Sequence, residues 1–192
     1  MDKTKQIEEH LVEVMKILDI PITDSNKDTP HRVAKMWVDE LFQYRNNLNI
    51  GLLHDKMKVF PNDYTDNEVI IVKDIPFSST CEHHWLPFSG ICTVGYVPDK
   101  DIIGLSKIPR VVKYFSKQPQ LQEKFTQDIG IYLLGVLHPK AIFVEVESKH
   151  LCVMCRGAES DCTTRTYYKN YNSGKIKHEE FISLYKDFKD RI

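Results

Sequence analysis

Ala141-Ile142-Phe143-Val144-Glu145-Val146-Glu147 is the stretch on which the fold turns. It follows Pro139, is β-branched, and alternates toward its end, which predicts a strand. Working back from it, Leu121, Phe125, Ile129, Leu133 and Val136 recur at helical spacing. Before that helix, Ser106 is placed to cap another, whose first turn tolerates Pro109 and whose apolar face uses Ile108, Val111, Val112 and Phe115. Two earlier segments, Glu68 to Ile75 and Gly90 to Val97, are rich in β-branched and aromatic residues and read as strands. Working forward, Cys152 to Tyr168 reads as a second strand pair interrupted by Gly157, and Phe181, Leu184, Tyr185 and Phe188 mark a terminal helix from His178. The order is strand, strand, helix, helix, strand, strand. Neighbouring strands around a helical pair predict an α+β fold, an antiparallel sheet with two helices on one face, and not alternating βαβ units.

Ahead of this core, Ile7, Leu11, Val14, Met15 and Leu18 form one amphipathic stripe that Pro21 closes. Thr29-Pro30 signals a second helix start, and Val33, Trp37 and Leu41 share a face of a helix expected to run to about Tyr44. Arg45 to Pro61 carries Asn46, Asn47, Asn49 and Gly51 and little periodicity, so it reads as a connection. The expected division is a helical extension over 1–52 and a core domain over 53–192.

The 192 residues suit one generous domain with an extension. Lys and Arg number 26 against 27 Asp and Glu, a formal charge of -1, so a polybasic nucleic-acid binder is not expected and any charge-driven binding is local. The longest apolar run, Ile129 to Leu137, falls far short of a membrane span, and Met1 to Lys5 lacks an apolar segment behind its charges. Neither membrane nor secretory leader is therefore expected, and the expected location is cytoplasmic.

Five cysteines stand at 81, 92, 152, 155 and 162. In a reducing compartment, clustering with histidine suggests a metal more than a disulfide. Cys92 sits in a strand-like run and reads as a small core hydrophobe. Cys81, His83 and His84 lie within four residues, and thiolate with imidazole is a zinc-favouring donor set. Alone, this cluster could equally be a turn with solvated histidines and a buried thiol. The second cluster, His150-Leu151-Cys152-Val153-Met154-Cys155-Arg156, shifts that balance. Cys81, His84, Cys152 and Cys155 together would close a structural zinc site; three donors alone would leave a position open for chemistry. On a regular strand, residues 152 and 155 point to opposite faces, which favours three; a tight turn would reverse the inference.

Lys107 and Arg110 follow Ser106 into the first turn of a helix, where backbone amides already favour an anion, and Arg156 could join them. Glu123, with Gln122, begins the next helix. A carboxylate there could simply complement the helix dipole, or it could accept two hydrogen bonds from a guanine edge.

Thr80-Cys81-Glu82-His83-His84, Gly104-Leu105-Ser106-Lys107-Ile108-Pro109-Arg110, Gln120-Leu121-Gln122-Glu123, and His150-Leu151-Cys152 with Arg156-Gly157 closely resemble the GTP cyclohydrolase I family over about residues 68 to 160. Asp28-Thr29-Pro30-His31-Arg32-Val33 resembles that family's N-terminal helical motif. The resemblance implies a tunnelling fold and hydrolysis of GTP at C8 of guanine, with release of formate and formation of 7,8-dihydroneopterin triphosphate for pterin or folate synthesis. It implies Cys81, His84 and Cys152 as ligands of one zinc per subunit, and His83 and His150 as free catalytic histidines. Lys107, Arg110 and Arg156 match triphosphate positions with the catalytic Ser106 close by, and Gln122 with Glu123 matches the guanine-reading position. GTP and water are the implied substrates, and a homo-oligomer, a decamer of two pentamers with sites between subunits, is the implied assembly. Cys155 and the bulky Thr166-Tyr167-Tyr168 depart from the family pattern. Two other readings stay open: a deazaguanine nitrile reductase on the same fold, which needs a thiol free of metal, and a non-catalytic nucleotide-binding module with Cys155 as fourth ligand.

Overall fold

A computed structural model describes residues 2–44, 50–63 and 68–192. Of the connection expected from Arg45 to Pro61, residues 45–49 lie outside the described residues, and the rest holds a short helix and a short strand where irregular chain was expected.

Helix α1 (Lys3–Ile17) packs on α2 (Thr29–Met36), which continues into a π-helical turn over Trp37–Leu41. Asp28 occupies the cap position of α2, one residue before the expected Thr29, and Pro30 sits inside the first turn. After α3 (Ile50–His54), strand β1 (Val59–Pro61) pairs with β4 (Asp101–Ile103) as a small ribbon. Leu52 lies within α3, and the next residue, Leu53, is buried in the main core, so the chain joins the core through the helix that spans the expected boundary.

The main sheet runs in the order β5-β2-β3-β6-β7. Its long members are β2 (Ile70–Cys81), β3 (Pro87–Val97), β6 (Ala141–His150) and β7 (Thr163–Tyr171), consecutively antiparallel. The short β5 (Pro119–Gln120) adds parallel to the end of β2. Between β4 and β6 come α4 (Lys107–Ser116) and α5 (Gln122–Leu137). The mixed α+β architecture and its element order are as expected.

Period-two alternation sorts the sheet into two faces. On β6, Ile142, Val144 and Val146 face a core completed by Ile108, Val111 and Phe115 of α4 and Phe125, Ile129 and Leu133 of α5. Phe143 points the other way, into a smaller cluster with Phe181 and Phe188 of α7 (His178–Asp190). The terminal helix thus covers part of the opposite face, where helices on one face only were expected. Phe143 stacks on both Phe181 and Phe188, an apolar payload the sheet could not leave in water.

A second difference decides the site. Cys152 was expected on a strand, but β6 stops at His150 and one helical turn, α6 (Leu151–Met154), follows. The chain then loops to β7, with Gly157 in the left-handed region at φ 66°. The bulky Tyr167 and Tyr168 split across the two faces. Tyr168 lies against Gly130 of α5, where an added Cβ would come within 2.0 Å of the ring. Tyr167 accepts a hydrogen bond from Lys189 of α7 at 2.9 Å, and the same ammonium lies over its ring.

Candidate functional site

The site gathers where β2, β3 and β6 meet the start of α5. A buried amide network fixes the end of β2: Gln120 Nε2 donates to Ser79 Oγ at 2.9 Å and to the Phe115 carbonyl at 2.5 Å, while Gln118 Nε2 donates to Gln120 Oε1. Gln120 pairs with Cys81 in register. Beyond Cys81 the chain turns tightly, with Trp85 N–H donating to the Cys81 carbonyl and Cys81 N–H to the Leu86 carbonyl, each at 2.9 Å. Trp85 closes this turn at φ 53°, a conformation that costs a bulky residue about 1–3 kcal/mol and needs support from its surroundings.

This turn holds Cys81 buried and His84 exposed, with Sγ and Nδ1 3.8 Å apart. Cys152, on the helical turn after β6, joins them: the three donor atoms all lie within 4.8 Å of one another. Zinc–sulfur and zinc–nitrogen bonds of about 2.3 and 2.0 Å place tetrahedral ligands roughly 3.5–3.8 Å apart, so two thiols and an imidazole so disposed fit zinc after small closing movements. Burial and the adjacent Cys81 thiol push the Cys152 thiol up, against the lowering effect of Arg156. A divalent cation would remove that conflict by favouring both thiolates. Cys155 is exposed and stands outside the group. The three-donor arrangement therefore follows from a helical turn beside the Cys81 turn, and not from strand alternation at 152 and 155. Cys92 is fully buried, its thiol pushed far up by burial, as suits a core residue.

His150 ends the even-numbered face of β6, one strand pair across from Phe88. Its ring lies parallel to that of Phe88, centroids 4.8 Å apart and planes 6° apart. Nε2 donates to Gln122 Oε1 at 2.8 Å, which leaves Nδ1 as the free ring nitrogen. Burial lowers the His150 pKa, with the charge of Glu123 acting in the opposite direction.

Gln122 is only 3% exposed and uses both ends of its amide within the chain. Nε2 donates to the carbonyls of Val146 and Thr164, at 2.9 and 3.3 Å. Oε1 accepts from Ser148 Oγ, Thr164 Oγ1 and His150. Glu123, the next residue, is exposed. Ser148, Thr164 and Phe88 were not singled out by sequence reasoning, although the even-numbered spacing of 146, 148 and 150 carried the signal for Ser148.

His83 is exposed, its imidazole 3.8 Å from Glu82. Ser106, Lys107 and Arg110 stand elsewhere. Ser106 holds the cap position of α4 without a side-chain capping bond, and Arg110 lines a basic cleft of about 200 Å³ with Lys56, Lys113 and Lys117. The carbonyl of Phe115, near the far end of α4, accepts from Gln120, the residue paired with Cys81, while Lys107 stands at the other end of this 10-residue helix. Lys107 and Arg110 lie in the first turns of α4, and Arg156 follows the helical turn that carries Cys152.

The arrangement is a group of three donors that could hold a metal, near a half-buried imidazole, with a carboxylate at a helix start. Residues 7–186 match the family described as GTP cyclohydrolase I. The chain belongs to the GTP cyclohydrolase I family. A GTP cyclohydrolase 1 of Serratia proteamaculans is 38% identical over 187 residues, covering 94% of this chain and 81% of its own. One from Yersinia pestis is 40% identical over 184 residues, covering 92% and 80%. With relatives of that identity over most of its length, this family member is an enzyme of the GTP cyclohydrolase type. The crystal structure of an apo archaeosine synthase QueF-Like superposes with TM-score 0.47 and 14% identity, over 55% of this chain and 96% of the other, too slight a likeness to bear on the site. No helix among the described residues is long and apolar enough to cross a membrane.

Proposed function

We propose that this family member takes GTP and water, hydrolyses the guanine ring at C8 with release of formate, and forms 7,8-dihydroneopterin triphosphate, the first step of pterin and folate synthesis. The observation that carries the reading is the clustering of Cys81, His84 and Cys152 within 4.8 Å beside the half-buried His150. One zinc per subunit, held by those three residues, would supply a hydroxide-like nucleophile near neutral pH.

The remaining chemistry falls to the chain's own groups. His150 keeps one proton at Nε2 against Gln122 and exchanges another at Nδ1 with a purine nitrogen. Burial, by lowering its pKa, makes the protonated ring a readier donor. His83, free on the exposed side of the turn, is the second proton carrier. Glu123 reads the guanine edge through paired hydrogen bonds, and Gln122 serves that recognition from beneath by holding Ser148, Thr164 and His150 in place. Arg156, whose charge acts on Cys152, lies on the metal side and meets the triphosphate there.

Ser106, Lys107 and Arg110 complete the triphosphate site from a neighbouring copy of the chain. Their place at the start of α4, the end away from Gln120 and Cys81, supports a site shared between subunits. Two open sheet edges support it further: among the described residues β7 has no outer neighbour, and β5 covers only the last two residues of β2. The assembly proposed is a homo-oligomer, a decamer of two pentamers with the tunnelling fold. Residues 1–52 form its helical extension and 53–192 its catalytic unit, and the location proposed is cytoplasmic.

Incubation of the purified chain with GTP and zinc tests the reading. Formate release and fluorescence of the oxidised pterin should appear together, vanish on chelation and return with zinc. Tightly bound zinc without formate would refute it.

A further inference from the structure

Both tryptophans of the chain, Trp37 and Trp85, belong to one aromatic cluster. Trp37 and Phe42 stack at 6.1 Å, and Trp85 meets them edge-on at 5.3 and 5.6 Å. Trp37 and Phe42 come from the N-terminal helical segment; Trp85 follows His84 directly on the metal turn.

The π-helical turn explains how Trp37 and Phe42 reach the same side. In an α-helix, residues five apart lie roughly 140° apart around the axis and cannot stack. Here Phe42 N–H donates to the Trp37 carbonyl at 2.9 Å, closing on the residue five back, and the widened turn brings the two rings together. Trp85 in turn adopts a left-handed backbone that a bulky residue holds only under outside constraint. It is also 51% exposed, so burial in the core does not provide that constraint. The hydrogen bonds that close the turn act from within it, and the ring contacts to Trp37 and Phe42 add the constraint from outside.

We infer that Trp37 and Phe42 are positioning residues for the metal turn: the N-terminal helical segment grips Trp85 and thereby sets the spacing of Cys81 and His84. This rests on the zinc reading above and extends it, because the segment becomes a lever on metal affinity and on the placement of His83. The ring contacts of the cluster lead to the turn of Cys81 and His84, so the effect expected is on metal binding and turnover.

Full-length chain is stripped of metal and titrated with zinc against a chromophoric chelator, beside variants Trp37→Ala, Trp37→Phe and Phe42→Leu. Trp37→Ala should weaken zinc about tenfold and lower kcat while KM for GTP stays within about twofold; Trp37→Phe should restore both. In Trp37→Phe, where Trp85 is the sole tryptophan, its emission should shift on adding zinc to the stripped protein. A folded Trp37→Ala chain with wild-type zinc affinity and kcat would overturn the inference. If that chain fails to fold, the same affinity and kcat comparison on Phe42→Leu decides. Wild-type chain that binds no zinc would overturn the metal reading itself, a result set apart by its appearance before any substitution.

Discussion

His150 lies flat on Phe88 while its Nε2 donates to Gln122 Oε1 at 2.8 Å. One contact fixes the ring plane and the other fixes its tautomer, so the imidazole offers Nδ1 in a single direction. The side chain that fixes the tautomer is an uncharged, buried amide at the start of α5.

Gln122→Ala removes the acceptor shared by Ser148, Thr164 and His150. Stability should fall by roughly 1–3 kcal/mol, since buried groups lose their partner. Turnover should fall about a hundredfold through loss of a fixed proton carrier. Urea denaturation and steady-state kinetics check the two effects separately.

Gly130→Ala drives a methyl group into the Tyr168 ring, whose nearest atom would stand 2.0 Å from the new Cβ. Overpacking of this kind should destabilise by about 1–3 kcal/mol. The double variant Gly130→Ala with Tyr168→Thr should recover most of that loss, which a double-mutant cycle in urea measures.

Cys155→Ser should keep zinc at the wild-type stoichiometry, while Cys152→Ser should lose it. Metal analysis after dialysis separates the two, and chelation should lower the melting temperature of the Cys155→Ser chain and leave that of Cys152→Ser unmoved. Zinc lost from Cys155→Ser would restore the closed four-ligand site.

Asp99 binds Lys175 at 2.7 Å, tying the loop after β3 to the loop after β7. That hydrogen bond, assisted by the charges of Lys175, Lys140 and Lys100, holds the Asp99 carboxyl below its usual value against a smaller opposing effect of burial. A depressed carboxylate contributes stability that is present above its unfolded pKa and is lost as pH falls through the folded one. The stability difference between wild type and Asp99→Asn should therefore be constant near neutrality and shrink in acid below about pH 4. Urea midpoints measured across pH 2 to 7 test this; a difference that stays constant into acid would refute it.

Alternation and helical spacing are properties of local sequence, and they determined the strand, strand, helix, helix, strand, strand order. Even-numbered Ile142, Val144 and Val146 needed only period-two side chains and an apolar partner. Cys81, His84 and Cys152 were legible as donors because thiolate and imidazole at short spacing have few other uses together. What the sequence could not decide were relations between distant segments: the helical turn that carries Cys152 beside Cys81, the amide of Gln122 against His150, and the end of α4 that meets Gln120. Nor could it place Trp37 against Trp85. Those relations depend on sheet register and on which faces pack, energies summed over the whole core, and only the tertiary structure decides them.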